Sequence, residues 1–191
     1  MTDTATRTAT LRMYVNDMVA LEKDILMALE KQKEDERVQG DPKTTALLAQ
    51  IYDTTKAHLL TMENHAAAMG GDTGGAIKEA VASVAGTLAG IYDLVRKHPV
   101  SRMLRDDYTA LSLKATAYSM LYTTGLTLRE TPIANVALRH LNETTPLVMQ
   151  LSAAIPGIVV RELAEDGLDV DTSVTPLAEE KTQAAWGAAK A

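Results

Sequence analysis

From Leu11 onward the apolar residues of this chain recur at steps of three and four, in long runs broken only at a few Gly and Pro positions. That spacing is the period of a helix with one buried face, and no segment shows the strict alternation of a half-buried strand. The first run sets Tyr14, Met18, Leu21, Ile25 and Ala28 on one face. The second, from Pro42 to Met69, does the same with Leu48, Ile51, Thr55, Leu59, Met62, Ala66 and Met69. A third, Ala/Gly-rich run from Ala76 to about Lys97 is a shorter connecting helix. A fourth spans about Ser101 to Leu128, with Leu104, Tyr108, Leu111, Ala115, Tyr118, Tyr122 and Gly125 inward. The last starts at Thr131-Pro132 and carries Ala137, His140, Leu141, Thr144, Val148, Leu151, Ile155 and Ile158, with expected kinks at Pro146 and Pro156. There is no Phe among the 191 residues, and nine Met stand beside many Ala and Leu. Such residues suit helix-on-helix packing better than a sheet core.

The breaks define the organisation. Asp41 before Pro42 reads as a cap followed by the first residue of a helix, and Gly70-Gly71 as a stop. Residues 1–10 are Thr-rich and polar and read as a flexible arm. Residues 11–165 form one helical unit, and 166–191 a polar tail with a short helix near Trp186. Two antiparallel helical hairpins joined by a long crossover that holds an additional helix make an all-α, four-helix bundle. Among bundles that connectivity is the ferritin-like arrangement.

Several function classes drop out. Without Cys there are no disulfides, thiolate metal sites or cysteine nucleophiles. The net charge of −6 argues against nucleic acid as a partner. No uninterrupted apolar stretch approaches ~20 residues, and the first residues lack the apolar centre of a secretory signal. The expectation is a cytoplasmic protein with no membrane partner and no identifiable small-molecule substrate. The small residues Ala82, Ala85, Gly86, Ala89 and Gly90 would permit close helix contact in a homodimer, or packing within one chain.

A ferritin-like interior directs attention to core-facing acids and histidines. Its di-metal centres take about four carboxylates and two imidazoles in one layer, because fewer leave the buried cations uncompensated. Turns near residues 40 and 131 set Glu22 opposite His58, His140 opposite Tyr122, and Glu143 opposite Ser119. Thr55 stands where a Glu-x-x-His pair ending at His58 would have its acid, and no acidic residue lies between Asp107 and Glu130. The inventory is therefore Glu22, His58, His140 and Glu143. It is too poor in charge for two ions, and chemically sufficient for one Zn, Fe or Mn. The third option is mutual hydrogen bonding with Tyr118 and Tyr122 and no metal at all. Lys56 is either a fixed ammonium replacing a missing cation or an ordinary solvated lysine. His65, seven residues after His58, is either part of a second layer or a partly exposed interface residue.

Several short segments carry a family resemblance. Asp17-Met-Val-Ala-Leu-Glu22-Lys23 looks like the Asp-x4-Glu-Lys signature of the YciE/YciF-like ferritin-like bacterial proteins. Thr55-Lys-Ala-His58 with the later Gly70 resembles their second helix and loop, and Leu141-Asn-Glu143 resembles the Leu-Asp-Glu-Glu of their last helix. The match spans residues 11–163. It implies a ferritin-like fold, an association with bacterial stress responses and a suspected di-metal centre. It also implies acids near Thr116 and Ser119 and after Glu143, where this chain has Thr, Ser and Thr144. The expectation is thus a stress-associated, non-enzymatic bundle with a degenerate di-metal site and no cofactor. The alternative is a metalloprotein with a single Fe, Mn or Zn ion and oxidase or peroxide-consuming chemistry.

Overall fold

A computed structural model describes residues 2–70 and 99–187. Among them there are six α-helices and no strand: α1 (Thr2–Lys33), α2 (Glu36–Gln39), α3 (Pro42–Ala68), α4 (Val100–Thr127), α5 (Thr131–Glu165) and α6 (Thr175–Gly187). Residues 71–98, with the expected connecting helix and its small-residue surface, lie outside the described residues.

Local chemistry sets the helix ends. Asp41 accepts from the Thr44 backbone N–H ahead of Pro42, which is the expected cap-plus-proline start. Asp35 caps α2 in the same way through the Arg37 N–H at 2.9 Å. The α4–α5 turn closes with Glu130 N–H donating to Gly125 O at 2.8 Å, and Arg129 takes a left-handed φ of 61°. Arg7 donates to Leu128 O in that turn and so satisfies one of the carbonyls left open at the end of α4.

This contact corrects the expectation for the N-terminus. Residues 2–10 continue α1 rather than forming an arm, because Arg7 ties them to the α4–α5 turn. The other end differs in the same way. Within 166–191, a 3-10 turn (Thr172–Val174) and α6 fold back onto α5, and Trp186 packs against Tyr108 with ring centroids 5.7 Å apart. The helix near Trp186 is real and longer than the loss of apolar period suggested. α5 runs through Pro146 and Pro156 as one assigned helix. By length and composition it is long and apolar enough to cross a membrane; its buried residues, including Ala137, His140, Thr144 and Leu151, belong to the shared core.

Pairwise contacts give the chain directions. On α1 and α4, Arg7 meets Leu128, Glu22 meets Tyr118 and Gln32 meets Asp107, so the two helices are antiparallel. Lys23–Glu63 and Tyr52–Glu30 make α1 and α3 antiparallel. Asp41–Arg161 with His58–Glu143, and Ser101–Glu162 with His140–Tyr118, do the same for α5 against α3 and α4. It follows that α3 and α4 point the same way, with the chain leaving one and entering the other at opposite ends. The four long helices share one core that includes Val15, Met18, Ile25, Ile51, Met62, Leu104, Leu111, Leu121 and Leu151.

α4 and α5 approach closely at Gly125, where an added Cβ would lie 3.0 Å from both the backbone N and the Cβ of Ala134 on α5. A facing backbone cannot step aside as a side-chain tip can. Gly125→Ala gains up to about 1 kcal/mol of helix propensity but forces α4 and α5 apart. We expect a net loss of roughly 1–2 kcal/mol, read as a lower urea midpoint with an unchanged slope.

Candidate functional site

Midway along the four long helices, the core holds a cluster of polar side chains. Glu22 on α1, Thr55 and His58 on α3, Lys114 and Tyr118 on α4 and His140 on α5 are all buried. Each sits on its helix's apolar stripe at a step of three or four, so helical phase brings them inward together. Glu143, one turn beyond His140, leaves its side chain 48% exposed and opens the cluster to solvent.

Glu22 is the hub. Its Oε2 lies 2.8 Å from Lys114 Nζ, an ion pair with both side chains fully buried. Its Oε1 accepts a 2.5 Å hydrogen bond from Tyr118 OH. The single Tyr118 proton is spent there, so the phenol oxygen in turn accepts from His140 Nδ1–H at 2.9 Å. Lys114 also donates to Thr55 Oγ1 at 3.1 Å. His58 donates through Nε2 to Glu143 Oε2 at 2.7 Å, while its buried Nδ1 lies 3.6 Å from Glu22 Oε1 with no hydrogen-bond partner. The two imidazoles stack with centroids 3.8 Å apart and planes 10° from parallel.

The low-dielectric setting fixes protonation states. Burial pushes the Lys114 ammonium below the usual lysine range, and the Glu22 charge opposes that shift. Burial, reinforced by Glu22, holds the Tyr118 phenol well above its ordinary value. Burial and then the neighbouring His58 push His140 down to about 2, so it is a neutral ring with one free nitrogen at Nε2. His65, half-buried on the next turns of α3, is lowered for the same first reason, desolvation, and then by Arg139.

All four residues singled out from sequence, Glu22, His58, His140 and Glu143, meet in this cluster. They hydrogen-bond to one another and to Tyr118, in line with the third of the options set out above, and as possible ligands they are not equivalent. Among the described residues, His58, His140 and Glu143 each offer a ligand atom within 4.8 Å of the other two. Both oxygens of Glu22 are instead occupied by Lys114 and Tyr118. The second hairpin is also shifted by one turn. His140 meets Tyr118 rather than Tyr122, and Glu143 reaches across to α3 rather than to Ser119. Lys56 is exposed and lies near the Tyr52 ring; the buried ammonium of this core is Lys114.

Apolar period alone does not reveal Lys114, because it runs the α4 stripe through Ala115. The buried positions include Leu104, Asp107, Leu111, Lys114, Tyr118, Leu121 and Gly125. Asp107, two turns into α4, accepts from Gln32 Nε2 at 2.9 Å inside the same core. The available signal was charge: an inward Glu22 on an acid-poor layer needs a cation, and Lys114 lies three residues after Leu111 and four before Tyr118.

No family model matches this chain, and neither does any curated protein or solved structure.

Proposed function

We propose that this chain is a ferritin-like helical protein of the stress-associated type whose di-metal centre has been replaced by an internal ion pair. In this reading it serves as a structural or binding protein and not as an enzyme. The observation that carries it is the fully buried Lys114 ammonium, 2.8 Å from Glu22 and 3.1 Å from Thr55. Thr55 stands where a ferritin-like layout has an acid beside His58. An uncharged acceptor and a fixed ammonium are a self-consistent substitute for a carboxylate and a metal ion.

The residues present do not fit a pair of divalent cations. Two such ions bring four positive charges, and the cluster offers only Glu22, already neutralised by Lys114, and Glu143. The chain directions favour the same architecture, since a long return between α3 and α4 is the ferritin-like connection. The segments resembling YciE/YciF-like proteins add the stress association, and a cytoplasmic homodimer belongs to the same proposal.

The test is reconstitution of untagged protein with excess Fe(II) or Mn(II) under argon, followed by desalting and metal analysis. The expected result is fewer than two retained equivalents and no oxygen uptake above buffer when the Fe(II)-treated sample meets air. Two retained equivalents with a spin-coupled signal would overturn the reading.

A further inference from the structure

The cluster contains a polar atom that nothing in the ion-pair network uses. His58 Nδ1 is buried without a hydrogen-bond partner, in a ring whose other nitrogen donates to Glu143. A buried imidazole nitrogen left in this state carries its full desolvation penalty with nothing to offset it. Moving the ring proton from Nε2 to Nδ1 would turn it toward Glu22 Oε1, 3.6 Å away, and free Nε2 beside the Glu143 carboxylate. His140 already has that form. Its Nδ1–H is committed to Tyr118, which itself donates to Glu22, so Nε2 carries the lone pair.

We propose that His58, His140 and Glu143 form a site for one borderline divalent cation such as Zn(II), with Glu22 orienting both imidazoles and not binding the ion. Two imidazoles and one carboxylate are the donor set such ions take, with room for water. A histidine ligand commonly gives its second ring N–H to a carboxylate; here Glu22 already holds His140 through Tyr118, and it stands 3.6 Å from His58 Nδ1, ready to take that ring's proton once it moves there. The inference rests on the reading that Lys114 neutralises Glu22, which removes that acid from the ligand set. Glu143 is the half-exposed member and marks the side from which an ion enters. For His58 to offer Nε2 to an ion, its ring proton would pass from Nε2, where it now faces Glu143, to Nδ1 facing Glu22, so that the neutral ring keeps its proton.

The experiment is calorimetric titration of the untagged full chain with Zn(II), alongside the Glu143→Ala variant, whose changed side chain is half exposed and leaves the core intact. One equivalent is expected in the parent, with affinity at least ~10-fold weaker in the variant. Histidine 15N spectra of the loaded parent provide a second readout: both buried rings should appear as Nδ1–H with Nε2 metal-bound. Uptake below roughly a tenth of an equivalent overturns this inference and leaves the ion-pair reading standing. One equivalent that is unaffected by Glu143→Ala, with both ring spectra unchanged, also overturns it. Two equivalents would overturn both readings together.

Discussion

Replacing Lys114 by methionine is expected to lower the unfolding free energy by about 3–5 kcal/mol, because it strands a fully buried carboxylate. Lys114 and Glu22 are each fully buried, so neither can recover solvation by swinging outward. Methionine matches the length of the lysine stem, which separates the loss of charge from the loss of packing. Glu22→Gln alone should cost a similar amount, since it leaves the ammonium without a counter-charge while preserving an acceptor for Tyr118 OH. The double variant removes both charges and should recover most of the loss, giving a coupling energy of at least ~2 kcal/mol. Urea unfolding of all four proteins at pH 7 measures this cycle. Additive single losses would mean that the two groups do not act as a pair.

The second large effect is acid lability centred on His140. Its folded-state value of about 2 lies far below the ordinary 6.5, because burial penalises the imidazolium first and His58, Arg139 and Lys114 oppose it further. Between those limits the unfolded chain binds a proton that the folded chain refuses. The contribution of neutral His140 is therefore fully present above about pH 6.5 and is lost as pH falls, at up to about 1.4 kcal/mol per pH unit. From pH 6 to pH 4 this amounts to about 2.5 kcal/mol. Asn at position 140 keeps an N–H near the place of Nδ1 and cannot titrate. His140→Asn should be less stable than the parent at pH 7 and flatter than it between pH 6 and pH 4. Denaturation curves at unit pH intervals decide the matter: parallel pH profiles for the two proteins would place the acid sensitivity elsewhere.

Much of this architecture was legible because apolar period and punctuation agree. Asp41-Pro42 and Thr131-Pro132 mark starts that the structure keeps, and the apolar stripes of α1, α3 and α5 supply most of the residues those helices bury. The chain ends were harder to read. Residues 2–10 are helical because Arg7 reaches the α4–α5 turn, and α6 packs on α5 with Trp186 against Tyr108. Both depend on contacts between residues far apart in sequence, which period does not encode. The candidate site was legible in its members and opaque in its wiring. Glu22, His58, His140 and Glu143 are polar residues on or beside apolar stripes, which is a strong local signal. Lys114 is the residue that decides their chemistry, and a buried ammonium looks in sequence like an ordinary solvated lysine. The one-turn shift at the second hairpin has a similar cause, since the turn closes through Glu130 N–H to Gly125 O with a left-handed Arg129 that no glycine announces.

The account depends most heavily on what sits against Glu22. Anomalous diffraction from crystals soaked in Mn(II) would show it directly. The expected map has the Lys114 ammonium on Glu22 Oε2 and no anomalous peak bonded to either Glu22 oxygen. Two peaks bridged by Glu22, with Lys114 displaced from the core, would contradict it.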